Sequence, residues 1–256
     1  MKRSKRAAVA GGIAIALACL AIAAFTSVER HQNTVRLAGA VHRGAEAEVQ
    51  ALLARGADPN APIQSPALTL VDVLRVMFRL KPPEATRETI LVYAAAHSNE
   101  RILRSLLEAG GDVHRQTDYE ELALTKAVEV RAHRNVELLV QHGANLNCYG
   151  QLRTPLSAVF NRIPDPEDLL FLLAHGADPN GHDSYGRTPL MCAAFEGTPE
   201  SIDALIRVHA EIDRQDTVGA TALMHAALVG NSKTIDALLK AGADPTLRDH
   251  KGSHSN

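Results

Sequence analysis

The chain contains no tryptophan, and with four tyrosines and five phenylalanines its aromatics reach only 4% of 256 residues. A β-sandwich or barrel draws on aromatic and β-branched side chains, so this scarcity argues against one. Apolar residues are still 46% of the chain, mostly Ala, Leu and Val. That mixture suits closely packed helices. Cysteine is scarce as well: Cys19 lies in an apolar N-terminal run, which leaves Cys148 and Cys192. Two thiols are too few for a disulfide framework or a zinc knuckle. No large excess of either charge is present, the formal net charge being -2. Setting aside Lys2, Arg3, Lys5 and Arg6 leaves 23 of the 27 basic residues against 29 acidic ones. A mildly acidic body argues against a nucleic-acid partner, which needs a basic stripe. The metalloprotease HExxH, the hydrolase GxSxG, the P-loop and the dinucleotide GxGxxG are all missing. No catalytic residue, metal ligand, cofactor or small-molecule substrate is therefore expected.

What is present begins with a membrane signal. Residues 7–25, AAVAGGIAIALACLAIAAF, hold no charged side chain. These 19 residues approach the roughly 20 that one transmembrane helix needs. The basic flank at residues 2–6 should stay on the cytoplasmic side. Two readings stay open for residues 1–28: an uncleaved signal-anchor, or a secretory signal cut near Ala21–Ala24. Thr26–Asn33 reads as a short linker to the rest.

The rest is repetitive. One phrase recurs as GADPN at Gly56, GGDVH at Gly110, GANLN at Gly143, GADPN at Gly176, HAEID at His209 and GADPT at Gly242. The last five start 33 residues apart; the first gap is 33 plus 21. Four residues before each phrase stands a leucine: Leu52, Leu106, Leu139, Leu172, Leu205 and Leu238. Seven before stands Val49, Leu103, Val136, Leu169, Ile202 or Ile235. This three-and-four spacing marks one face of a helix. Gly ends that helix because it tolerates the left-handed conformation. His209 breaks the rule and predicts a less regular end. A second helix lies upstream, as TILVYAAAHS, TPLSAVFNR, TPLMCAAFEG and TALMHAALVG. Thr caps its start and Pro fits its first turn. Leu and Ala three residues apart (Leu190 and Ala193, Leu223 and Ala226) form its narrow inner face.

The pattern TPLxxAAxxG, a Val/Ile-x-x-Leu helix and GADxN resembles the ankyrin repeat, over about residues 35–252. The resemblance implies an all-α solenoid over residues 34–250. Its six helix-turn-helix repeats fall at about 35–60, 89–114, 122–147, 154–180, 188–213 and 221–246. Hairpin loops project from one edge, and one apolar helix precedes the stack. Residues 61–88 are an insertion, in which Leu68–Leu80 reads as a helix with a wide apolar face. Residues 251–256 read as a disordered tail.

In such stacks, binding lies on the hairpin edge and the adjoining inner helices. Tyr119 and Tyr185 hold the same place in their repeats, and Tyr149 is close by in its loop. Tyr is enriched at binding hot spots. With Arg115, Asp118, His182, Asp183, Arg214 and Asp216 they form the expected partner-binding set. The partner is another protein. The membrane is contacted through residues 7–25. The resemblance implies a bacterial-type protein, single-pass in the inner membrane with its repeats in the periplasm, or soluble there after signal cleavage. Two alternatives are a structural organiser of a membrane complex, acting through the N-terminal segment and the 61–88 helix, and an immunity or accessory factor for a secreted protein.

Overall fold

The computed structural model describes residues 25–63, 89–115, 122–147, 153–161, 166–196 and 198–252. Most of the apolar segment, residues 64–88 of the insertion and residues 253–256 therefore lie outside the described residues. Residues 25–42 are helical. Eleven further helices follow: α1 Glu46–Ala54, α2 Ile90–His97, α3 Glu100–Glu108, α4 Ala123–Glu129, α5 His133–Gln141, α6 Pro155–Ala158, α7 Pro166–Ala174, α8 Pro189–Glu196, α9 Pro199–Arg207, α10 Ala222–Val229 and α11 Ser232–Lys240. Among the described residues there is no β-strand, only an isolated bridge between Pro62 and Thr89. No described helix is long and apolar enough to cross a membrane.

The helices form two rows. Inner helices α2, α4, α6, α8 and α10 each pack on the next, and each packs on the outer helix that follows it. Threonine decides where most inner helices start. Thr89 Oγ1 accepts the Val92 N–H at 3.2 Å, and Thr154, Thr188 and Thr221 do the same for Ser157, Met191 and Met224. Helix α4 starts at Leu122 without a side-chain cap. Ala94, Ala127, Ala193 and Ala226 have no exposed surface; a methyl at each contact lets neighbouring helices approach closely. Where the fourth unit has Val159 and Phe160 in place of Ala193 and Ala194, the helix stops at Ala158. Both larger side chains are buried in the stack.

The outer helices end identically. The six leucine carbonyls of Leu52, Leu106, Leu139, Leu172, Leu205 and Leu238 accept N–H bonds from Ala57, Gly111, Ala144, Ala177, Ala210 and Ala243, at 2.9–3.1 Å. Each closes over a left-handed residue, as a Schellman turn requires. Five of these residues are glycine, with φ of 80–96°. The sixth, His209, takes φ 66°. The irregular end expected there does not form: the same bond is made, and the backbone of a non-glycine residue bears the strain.

A ladder of side chains joins the turns. Asn60 Oδ1 accepts the Asp112 N–H, Asn147 the Asp178 N–H, Asn180 the Glu211 N–H and Asp213 the Asp244 N–H, at 2.7–2.9 Å. This explains the last letter of GADxN. A polar seam also runs at a 33-residue spacing through Asn135, Asp168, Ser201 and Thr234, all buried. Asn135 Nδ2 donates to the carbonyls of Ala95 and Ser98 and so ties α5 to the end of α2.

Two local readings are corrected. Thr26–Asn33 is helix, not linker, because residues 25–42 form one continuous helix. It docks on the first turn through Thr34 Oγ1, which accepts the Asp58 N–H at 2.9 Å. At the other end, Lys251 and Gly252 belong to an ordered turn, not to a tail. Asp249 Oδ1 accepts the Lys251 N–H and its carbonyl accepts that of Gly252. The insertion leaves the stack unbroken because its ends meet: Ile90 N–H donates to the Ala61 carbonyl at 2.9 Å.

Candidate functional site on the concave face

The hairpins of the last repeats are built on two buried carboxylates. Asp183 Oδ1 accepts the N–H groups of Tyr185 and Arg187, both at 2.9 Å. Its Oδ2 accepts Arg187 Nε at 2.8 Å and Nη2 at 2.7 Å. Asp216 repeats the arrangement one unit later. Its Oδ1 accepts the Val218 and Ala220 N–H groups, and its Oδ2 lies 3.0 Å from His225 Nε2. An aspartate is suited to this task because its short side chain can bond backbone two residues on. Burial alone would lower the pKa of Arg187, but the hydrogen bonds and charge of Asp183 outweigh it and hold the guanidinium above its ordinary value.

These bonds reassign two of the expected partner-binding residues. Asp183 is 3% exposed and Asp216 9%. Their oxygens are spent on the turn, so they shape the edge and are not presented on it. Tyr185 is presented: it is 55% exposed, with Arg187 Cζ 5.1 Å from its ring centre. His182 is exposed beside it, its Nδ1 3.1 Å from the Asp183 carbonyl oxygen. Arg214 is half-buried and pairs with Glu211 at 3.4 Å. Arg115 is exposed just after the turn that follows α3. Asp118, Tyr119 and Tyr149 lie outside the described residues.

The structure adds residues that sequence reasoning missed. Tyr185 and Val218 occupy the same place in successive units, 33 residues apart, and Thr217 N–H donates to the Tyr185 carbonyl at 2.9 Å. Phe195 and Leu228 are a second such pair, in the last turns of α8 and α10. Val218 is 57% exposed, Phe195 44% and Leu228 78%. Four apolar side chains thus stand open on adjoining units, as two pairs each in register. Burying them in a partner would release roughly 25 cal/mol for each Å² of apolar surface covered. The signal was in the sequence, as an apolar letter at the end of two consecutive TxLMxAA helices. Periodicity alone could not tell it from core.

Residues 156–249 match the family model for ankyrin repeats, in three copies. The four exposed side chains and both buried carboxylates fall within this matched segment. A curated relative, ankyrin repeat protein nuc-2 of Neurospora crassa, is 31% identical over 119 residues. That match covers 46% of this chain and 11% of the fungal protein, so the chain spans only a small part of its relative's length. Ankyrin repeats generally mediate protein–protein interaction and generally are not enzymes. Among the described residues, no group of three or more His, Cys, Asp and Glu side chains is placed to hold a metal ion.

Proposed function

We propose that the chain is a protein-binding module, built of six ankyrin repeats, which holds a partner on the concave face made by its hairpins and inner helices. The observation that carries this reading is the array of Tyr185, Val218, Phe195 and Leu228. Exposed apolar side chains repeated in register on successive units are what a partner-binding face presents. Arg115 and His182 extend the face along the same edge, and the reading adds Asp118, Tyr119 and Tyr149 on the preceding hairpins. Arg214 lies at its border. Residues 7–25 tether this module to a bacterial inner membrane with the repeats in the periplasm; the basic flank and the apolar run support that orientation.

A photo-crosslinking side chain placed at position 195 or 218 in intact cells tests the reading. It should yield one discrete adduct, lost when Tyr185 and Leu228 are both changed to Ala. The same group at position 170, on the exposed side of α7, should yield none. Adducts from position 170 alone would refute it. Mass measurement of the mature N-terminus decides between anchor and cleaved signal.

A further inference from the structure

The proposed docking face carries more than apolar surface. Beside the array lies a cavity of about 200 Å³, below the roughly 300–1,000 Å³ of small-molecule sites. It has room for one large side chain. Phe160 and Met191 are its buried walls, and Phe195 and Leu228 stand at its rim. The polar groups around it are unequally committed. The acceptors are used: Asp183 takes four N–H bonds within the turn, and Asp216 takes two and faces His225. Glu196, also on the lip, is engaged in an interaction of its own. The donors are left over. Arg153 lines the cavity, half-exposed, and no described carboxylate pairs with it. Arg187 spends only Nε and Nη2 on Asp183.

Both arginines belong to the lining of this one cavity. Burial pushes the Cys192 thiol above its ordinary pKa, and Arg187 and Arg153 each pull it back in part. Arg153, Arg187 and Cys192 all line the same cavity. A cavity lined by two guanidinium groups, one of them paired with no described carboxylate, is matched by an acceptor, and a carboxylate is the best geometric fit.

We infer that the cavity receives an acidic–apolar segment of the partner protein: a Glu or Asp carboxylate on Arg153, supported by Arg187, and an adjacent aliphatic or aromatic side chain between Phe195 and Leu228. This rests on the concave face being the docking surface. It goes further in naming the chemistry that the partner must offer.

The test uses the full-length chain in detergent micelles, immobilised against a phage-displayed library of random peptides. The enriched sequences should share an acidic residue next to a large apolar one. A synthetic peptide of the enriched sequence should bind Arg153→Gln about tenfold more weakly. Changing the peptide's Glu to Gln should cost the same, and the two losses should not add. Arg153 lies outside the helices and half in solvent, so circular dichroism should show the fold retained. Peptides that lose affinity with Phe195→Ala but carry no acid, or ignore Arg153→Gln, would overturn this inference and leave the docking face standing. Failure to enrich any peptide sensitive to either change would overturn both. A stable dimer in sedimentation, dissociated by Phe195→Ala, would make a second copy the occupant and overturn the acidic segment.

Discussion

The two hairpin aspartates look interchangeable in sequence, and their partners make them differ. Asp183→Asn keeps one oxygen for the Tyr185 and Arg187 N–H groups but turns an NH₂ toward Arg187 Nε and Nη2, which in the native protein donate to a carboxylate oxygen at 2.8 and 2.7 Å. Arginine has only donors, and flipping the amide merely moves the clash to the backbone. Two charge-assisted bonds are lost, each worth roughly 1.5–3 kcal/mol where solvent cannot replace it. Arg187 is 37% exposed in its side chain and can turn to water, so the net cost falls to about 2 kcal/mol. Asp216→Asn meets a different neighbour. Histidine can present an unprotonated nitrogen, so His225 Nε2 can accept from the new amide. Its cost should stay below about 0.5 kcal/mol. Urea unfolding of both variants, followed by circular dichroism, measures the gap. Repeat arrays can leave two-state behaviour, so hydrogen exchange at the Arg187 amide provides a local check. Equal costs, or a larger cost for Asp216→Asn, would refute the Asp183–Arg187 pair as the source of the difference.

The ladder predicts a ranking at Asn180. Asn180→Ala loses the bond from Glu211 N–H and should cost about 1 kcal/mol, whereas Asn180→Asp keeps the acceptor, as Asp213 does naturally one unit later. Aspartate costing as much as alanine in urea titration would disprove the ladder's role. His209→Gly should raise stability by about 0.5–1 kcal/mol, because glycine accepts the left-handed backbone that histidine holds under strain; a loss of stability would contradict this. With Cys19 and Cys148 changed to Ser, Cys192 should react with iodoacetamide at pH 8 more slowly than in the urea-unfolded chain, and the rate should climb as pH rises further. Burial raises this thiol's pKa, so the reactive thiolate is scarcer below that value. Equal rates would show the thiol to be open.

The sequence carried the architecture, because a solenoid is fixed locally: each unit needs only its own caps, its glycine and its neighbour's apolar face. The 33-residue phrase located every described outer helix, and Thr-x-Leu located most inner ones. Local letters could not decide which polar side chains turn inward. Asp183 and His182 are adjacent in the chain, yet one is buried under a hairpin and the other faces solvent. The bonds made by each depend on Arg187 and the turn closing over it. The docking array was hidden for the converse reason. Phe195 and Leu228 sit on helices whose other apolar residues are mostly core, and only the stacking of units shows that these two point off the stack. Likewise, a straight reading of Thr26–Asn33 as linker had no access to the Asp58 amide that holds the helix in place. Composition and spacing set what each residue could do; the packing of one repeat on the next set which neighbours it met, and so which groups were left for a partner.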